Sequence, residues 1–310
     1  MTYPWLADVE AEFSDRLHGG RLAHALLLSG PSDSGKVALA ERFLASALCL
    51  ENRYPACGVC RSCQLARTGA HPDGHVLTFE ENPRTGVMRK ELVIEQVRRL
   101  TSSLFLTNTI SQRKAALIHP VEAMNRHTAN ALLKTLEEPP GETALILVSN
   151  NPARLPATIR SRCQGLDVRL PGRQAALSWL VSEKGIDEPA AATALDAAAG
   201  SPLRAIRMIE DGGVEAYGLL SDTLDALRRQ AQDPQAALSS LSEIDPDRLW
   251  SWISLRAAEE TRQAAGVREG ARQLSELQRQ ADRNRGLALT PVRKDLLLQD
   301  WLIQWARLKP

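Results

Sequence analysis

Five short apolar runs mark the first 170 residues of the chain, and turn-forming residues bound each of them. In chain order they are HALLLSG, HVLTFE, KAALIHP, TALILVSN and GLDVRL. Continuous apolar runs of this length are typical of strands that are buried on both faces. Between them, amphipathic patterns predict helices at about 36–48, 91–104 and 127–138. This alternation predicts an α/β domain with a largely parallel sheet.

The pattern changes after the segment RLPGRQ, where strand-like runs end and Ala, Leu, Arg, Glu and Gln dominate. Three short helices are predicted between about 172 and 211, one of them stopped at Gly200 and Pro202. Beyond the break at Gly212 and Gly213, longer helices are predicted at about 214–231, 246–265, 270–284 and 291–308. The second half of the chain is therefore expected to be all helical.

The length of the chain fits several domains, because 310 residues exceed the size at which one core usually keeps growing. We predict an α/β domain over 1–168, a small helical domain over 169–212 and a helical C-terminal domain over 213–310. The composition, with 44% hydrophobic residues, is that of a soluble globular protein. A formal net charge of +1 means that any contact with nucleic acid needs a local basic patch. The sequence has no signal-peptide pattern and no membrane-spanning run, so a cytoplasmic protein is expected.

The segment SGPSDSGKVA has the spacing of a phosphate-binding loop. Gly30, Gly35 and Lys36 occupy the positions of G-x4-G-K between a predicted strand and a predicted helix. Such a loop surrounds phosphates with backbone N–H groups, and its lysine reaches the β and γ phosphates. Val37 follows where a Ser or Thr hydroxyl would bind Mg²⁺. Binding of ATP or ADP to this degenerate loop is therefore left open.

A second magnesium-binding element is also absent from the sequence. An acidic pair should end a later apolar strand, but the run KAALI is followed by His119 and Pro120, which carry no carboxylate. Glu122 lies two residues further on, where helical spacing would direct it elsewhere, so it is not assigned as a catalytic base. Two losses in one magnesium site argue against ATP hydrolysis by this chain alone.

Four of the five cysteines lie within fifteen residues: Cys49, Cys57, Cys60 and Cys63. In a reducing compartment such a cluster favours metal binding over disulfides. Four thiolates form a closed tetrahedral site, which predicts structural rather than catalytic Zn²⁺, and Gly58 permits the tight turn. His71 or His75 could replace one ligand, although an ordinary surface or core role is the favoured interpretation for both. Cys163 is remote in sequence and is interpreted as a small buried residue.

Two arginines precede the last apolar strand, in the segment LPATIRSRCQGLDV. The guanidinium of Arg160 or Arg162 could bind an anionic ligand at that edge of the sheet. From the residues alone, a solvated or ion-paired arginine is the default interpretation.

These motifs, in this order, resemble the delta-prime family of bacterial DNA polymerase III clamp-loader subunits, which belongs to the AAA+ class. The resemblance is carried by the phosphate loop, the cysteine insertion, AHPDGH, TANALLKTLEEPP and IRSRC, and its layout extends over essentially all 310 residues. The last hundred residues match mainly in helical pattern. The resemblance implies an AAA+ domain with a zinc module at about 49–75, a helical lid domain and a C-terminal collar domain that oligomerises.

The resemblance also implies roles for single residues and for partners. The family's Ser-Arg-Cys motif is a trans-acting arginine finger, which falls here on Arg162 and would reach ATP bound by a neighbouring motor (tau or gamma) subunit. Further implied partners are the delta subunit and, through the complex, the sliding clamp and primed DNA. Arg204 falls near the position of a second nucleotide-sensing arginine in active relatives.

Two other functions compete with that of a stator-like clamp-loader subunit. An active AAA+ motor-type ATPase would hydrolyse ATP in its own site, but Val37 and the pair His119 and Pro120 disfavour it. An enzyme that uses zinc catalytically is disfavoured because all four proposed ligands are cysteines.

Overall fold

The computed structural model describes residues 3–264, 268–288 and 290–308. The chain divides into two compact units, Met1–Pro171 and Gly172–Pro310. Among the described residues, no helix combines the length and the apolar character that crossing a bilayer requires. The further division of the second half at residue 212 stays a prediction.

A five-stranded parallel sheet forms the centre of the first unit. Its strands are β1 (Ala25–Ser29), β2 (Gly74–Leu77), β3 (Lys114–Ile118), β4 (Thr143–Ser149) and β5 (Gln164–Asp167). All four pairings are parallel, and the order across the sheet is β2-β3-β4-β1-β5. Each of the five apolar runs forms one strand, so the predicted parallel α/β domain is confirmed.

In the described part of the first unit, six α-helices accompany this sheet. They are α1 (Ala7–His18), α2 (Lys36–Leu48), α3 (Arg61–Arg67), α4 (Ile94–Leu104), α5 (Arg126–Glu137) and α6 (Ala157–Arg160), with short 3-10 turns at Pro4–Leu6, Val121–Ala123 and Pro152–Arg154. The three helices predicted from periodicity correspond to α2, α4 and α5. The pattern did not identify α1, α3 or α6.

The sheet is buried on both faces, because its central strands alternate between two apolar clusters. Leu26 and Leu28 of β1 pack in one cluster with residues of α1 and α2, where the rings of Phe13 and Phe43 stack at 3.8 Å. Leu27 of β1 packs in the other cluster with residues of α4 and α5. Burial on both faces explains why the strands are continuous apolar runs rather than alternating ones.

The described part of the second unit is helical. Its helices are α7 (Arg173–Lys184), α8 (Glu188–Ala197), α9 (Pro202–Glu210), α10 (Gly213–Arg228), α11 (Pro234–Leu241), α12 (Pro246–Gln263), α13 (Arg268–Leu287) and α14 (Lys294–Ala306). The buried indoles of Trp301 and Trp305 donate to the carbonyls of Leu277 and Leu224, which fixes α14 against α13 and α10. The helical prediction is confirmed, although α11 was not predicted. Residue 265, the end of one predicted helix, lies outside the described residues.

Candidate phosphate loop, metal centre and arginine site

The phosphate-type loop joins β1 to α2 at the carboxyl end of the sheet. β1 lies between β4 and β5, and the helix that follows it, α2, packs on the face of the sheet opposite to α4 and α5, which follow β2 and β3. In open α/β sheets, ligands bind outside the carboxyl ends of strands at such a switch point. The sheet topology therefore places Gly30, Gly35 and Lys36 where a nucleotide-binding loop belongs.

Both glycines of the loop are required by close packing. A Cβ atom on Gly30 would lie 2.2 Å from the carbonyl oxygen of Val168, and one on Gly35 would lie 2.6 Å from the ring of Tyr3. Gly35 also has a φ of +87°, a conformation that side chains other than glycine rarely adopt. The loop geometry is thus retained through contacts within the chain itself.

The lysine of the loop is buried and already hydrogen-bonded. Lys36 is 2% exposed, and its Nζ donates to the carbonyl of Pro31 at 2.7 Å and to Oδ1 of Asn150 at 2.6 Å. Burial lowers the pKa of Lys36, and the nearby carboxylates of Glu122 and Asp33 oppose that change. The ammonium that would reach a phosphate is thus bound by a carbonyl and an amide oxygen of its own domain.

Glu122 lies close to this lysine, contrary to the expectation from the sequence. The residues around it form a 3-10 turn (Val121–Ala123) instead of a regular helix, and its Oε1 accepts a hydrogen bond from the backbone N–H of Asn150 at 2.9 Å. The spacing argument assumed an α-helix and was wrong here. His119 and Pro120 follow β3 directly, so neither residue at the position of the acidic pair of a magnesium site carries a carboxylate.

An aromatic pair from the start of the chain covers the loop. The Trp5 indole donates to the carbonyl of Ser34 at 2.9 Å, and the ring of Tyr3 stacks on Trp5 at 5.1 Å. Val37 packs against the same apolar cluster as these two rings. The position that would hold a magnesium-binding hydroxyl therefore makes apolar contacts. Sequence reasoning missed Tyr3, Trp5 and Asn150.

The four clustered cysteines come together as a possible metal centre. Their Sγ atoms all lie within 4.8 Å of one another, and those of Cys57 and Cys63 are 3.8 Å apart. A tetrahedral Zn²⁺ with Zn–S bonds of about 2.3 Å requires S–S separations of about 3.8 Å, so the donor set and spacing fit such an ion. Cys49 ends α2, Cys60 precedes α3, and Gly58 makes the turn between them with a φ of +76°. The predicted four-cysteine cluster is confirmed as a group that could hold a metal ion.

Backbone N–H groups point at the sulfur atoms of the cluster. The amides of Cys57, Cys60 and Cys63 lie 3.5, 3.4 and 3.4 Å from the Sγ atoms of Cys49, Cys57 and Cys60, respectively. Burial acts to raise the pKa of the Cys60 thiol, but hydrogen bonds from Cys63 and other neighbours outweigh it and lower that pKa to about 7. Thiolate is the form that binds metal, so these amides favour the liganding state.

His71 belongs to a buried polar network beside the cluster. Its Nδ1 accepts from the backbone N–H of Asp73 at 3.0 Å, and its Nε2 lies 2.8 Å from Oγ of Ser62. The hydroxyls of Ser62 and Ser111 both donate to the carbonyl of Leu48. The cluster found among the described residues contains neither His71 nor His75.

Asp73 anchors this network to the sheet. It is fully buried and accepts hydrogen bonds from the backbone N–H groups of Thr109, Ile110 and Ser111, while Nζ of Lys114 lies 3.3 Å away. Burial alone would raise the pKa of Asp73, but the three amides and Lys114 outweigh it and lower the pKa to about 2. The carboxylate of the AHPDGH segment is thus a structural group that ties the cysteine module to β3.

Arg162 lies between α6 and β5, on a partly exposed turn. Its Nη1 donates to the carbonyl of Thr158 at 2.9 Å, its Nη2 lies 2.6 Å from Oε1 of Glu137, and its side chain is 34% exposed. Arg160 is exposed, whereas Cys163 is half-buried against the core, where burial raises its pKa to about 11.

The strand register separates Arg162 from the phosphate loop. Leu26 pairs with Gln164 at the beginning of β5, and Ser29 pairs with Asp167 at its end. Arg162 therefore precedes the amino end of the sheet, while the loop follows the carboxyl end. Three residues at about 3.3 Å each put the two edges roughly 10 Å apart even before the flanking turns are counted. Arg162 is thus poorly placed to serve its own loop.

The parallel sheet with a phosphate-type loop after β1, followed by a helical second unit, defines an α/β protein of the phosphate-loop fold class. A family model described as "DNA polymerase III, delta subunit" matches residues 6–171, and the DNA polymerase III subunit delta' of Pseudomonas aeruginosa is 36% identical over 97% of this chain and 89% of that protein. The chain belongs to the DNA polymerase III delta' family.

Two further relatives show how far the similarity extends. The delta' subunit of Escherichia coli is 31% identical over 97% of this chain and 94% of that protein. The tau subunit of DNA polymerase III from the same organism is 33% identical over 77% of this chain but only 37% of its own length. The similarity to delta' thus covers nearly the full length of both proteins, which is not true of tau.

Proposed function

We propose that this chain is a stator-like member of a clamp-loader ring in the DNA polymerase III holoenzyme. In this proposal it assembles with motor subunits of the tau or gamma kind and with a delta subunit, and it supplies Arg162 to the ATP of a neighbouring motor subunit. The ring would open the sliding clamp and load it onto primed DNA. The chain would act in the cytoplasm, where the bacterial chromosome is replicated.

The position of Arg162 is the observation that carries this proposal. The side chain is partly exposed and lies at the edge of the sheet opposite to the chain's own phosphate loop, so its guanidinium is available to another subunit. The chain's own loop lacks the hydroxyl at Val37 and the acidic pair after β3, which disfavours the alternative of a motor-type ATPase. An arginine supplied in trans stabilises charge that develops on the transferred phosphoryl group.

Substitution of Arg162 in a reconstituted complex tests this function. Arg162→Ala should fold and assemble normally but should reduce DNA-stimulated ATP hydrolysis by the whole complex at least about twofold, since trans fingers are worth roughly 10³–10⁵ at the site they serve. Arg160→Ala is the matched control, because Arg160 is exposed and only two residues away. An assembled Arg162→Ala complex with the unchanged rate would refute the assignment.

We further propose that the four-cysteine cluster holds a structural Zn²⁺ ion. Four thiolates leave no open coordination position for substrate or water, and the sulfur spacing fits tetrahedral zinc. When bound, zinc would join the end of α2 to the beginning of α3 and thereby fix the module at about 49–75.

A further inference from the structure

One carboxylate contacts the proposed arginine finger directly. Oε1 of Glu137 lies 2.6 Å from Nη2 of Arg162, and the two side chains are 48% and 34% exposed. Glu137 is the last residue of α5, whereas Arg162 follows α6, so the pair connects two helices. Its neighbour Glu138 is also exposed and, among the described residues, takes part in no recorded ion pair.

The guanidinium is held from two sides. Nη1 donates to the carbonyl of Thr158 at 2.9 Å and contacts Oγ of Ser161 at 3.3 Å, while Nη2 faces Glu137. These contacts fix the plane of the guanidinium and leave part of the side chain exposed. An arginine that is already oriented loses less rotamer freedom when it meets an anion, and precise placement of charge matters for catalysis.

We propose that Glu137 is a positioning residue, which holds the guanidinium of Arg162 in the orientation needed to meet the triphosphate of a neighbouring subunit. This inference rests on the proposed function of Arg162. Glu137 does not touch the nucleotide in this scheme and acts only through the arginine.

The carboxylate has two opposing effects on an incoming phosphate. Its negative charge repels the phosphate, but Glu137 is about half exposed, so solvent and salt screen this repulsion. The contact with Arg162 at 2.6 Å acts at short range and sets geometry, which screening weakens less. We therefore expect the orienting contact with Arg162 to affect the rate more than the screened repulsion between Glu137 and the phosphate does. Since exposed ion pairs contribute little to stability, the pair should matter for turnover rather than for folding.

Steady-state ATP hydrolysis by the reconstituted, DNA-stimulated complex tests this role. Glu137→Ala should lower kcat about two- to threefold with KM for ATP nearly unchanged, and Glu137→Lys should lower it at least as much, because like charges then push the guanidinium away. Glu137→Asp keeps the charge and should restore part of the rate. Glu138→Lys is the matched control and should leave both constants unchanged. Gel filtration and circular dichroism establish that each variant folds and assembles.

Combination with Arg162→Ala separates positioning from a general structural role. If Glu137 acts through the arginine, Glu137→Ala should have no further effect in the Arg162→Ala background. An unchanged or raised rate in Glu137→Ala or Glu137→Lys, or an equal loss in both backgrounds, would overturn the inference while the finger itself stands. The loss of rate in Arg162→Ala is the internal reference. If the Arg162→Ala complex hydrolysed ATP at the wild-type rate, both the finger assignment and this inference would be refuted.

Discussion

Replacement of Asp73 by asparagine should destabilise the first unit strongly at neutral pH. Asp73 is fully buried, and its two oxygens accept from the amides of Thr109, Ile110 and Ser111 and face Nζ of Lys114. Asparagine has nearly the same shape but only one acceptor oxygen, so its NH₂ group must face backbone N–H groups or the lysine. The substitution therefore changes hydrogen bonding and charge without creating a cavity.

The structure gives the size of the effect. The pKa of Asp73 falls from the ordinary 3.8 to about 2, and at about 1.4 kcal/mol per pH unit this corresponds to about 2 kcal/mol of stability from ionisation alone. Lys114 is only 3% exposed and would lose its partner. Breaking a buried pair from one side costs about 3–5 kcal/mol, so a loss of about 3 kcal/mol is expected for Asp73→Asn at pH 7.

The pH dependence has a definite sign. Because the folded-state pKa of Asp73 is lower than the unfolded one, its stabilisation is complete above about pH 5 and is lost as the pH falls through 4 towards 2. The gap in unfolding free energy between wild type and Asp73→Asn should therefore narrow by about 1 kcal/mol between pH 7 and pH 3. Urea unfolding at both pH values measures the gap, with the exposed Glu91→Gln as control.

Hydrogen exchange locates the same effect in the structure. The amides of Thr109, Ile110 and Ser111 should lose protection in Asp73→Asn, because they donate directly to the carboxylate. The reasoning from the buried carboxylate would be refuted if Asp73→Asn lost less than about 1 kcal/mol of unfolding free energy at pH 7. It would also be refuted if the difference in unfolding free energy between the two proteins were larger at pH 3 than at pH 7.

Two further predictions concern the metal cluster and the phosphate loop. Metal analysis of the native protein should find about one zinc per chain, and Cys60→Ser, which leaves three thiolates, should retain much less metal and unfold at lower temperature; a metal-free native preparation with an intact fold would contradict this. The purified protein alone should show no magnesium-dependent ATP hydrolysis above background, because Val37 makes apolar contacts and His119 and Pro120 supply no carboxylate; robust turnover by a contaminant-free sample would show that the loop still works.

The strands were predictable because burial on both faces leaves a strong local signal. The run TALILVSN became β4, in which all seven residues are buried. Three of the missed helices, α3, α6 and α11, have seven, four and eight residues and therefore hold barely two turns or fewer. The 12-residue helix α1 was missed despite its length. Helix α11 nevertheless has a capping Asp233 followed by Pro234, a helix-start pattern that could have revealed it.

The candidate site was only partly predictable, for a similar reason. The four cysteines are close in sequence, so their spacing alone indicated the cluster. Asn150, in contrast, is 114 positions from Lys36 and reaches it only because β4 lies beside β1 in the sheet. Tyr3 and Trp5 reach the loop through the packing of the chain's first turn, and no spacing rule connects them to Gly35 or Ser34.

The burial of Lys36 sets a limit on any attempt to engineer an active ATPase from this chain. Restoring a hydroxyl at Val37 and an acidic pair after β3 would complete the magnesium ligands, but the lysine would still be bound to Pro31 and Asn150. ATP would have to break those hydrogen bonds. If only about 1% of molecules had the lysine released, the apparent affinity for ATP would be about a hundredfold weaker than that of an open loop. A successful design must therefore also remove the internal competitor, first of all the side chain of Asn150.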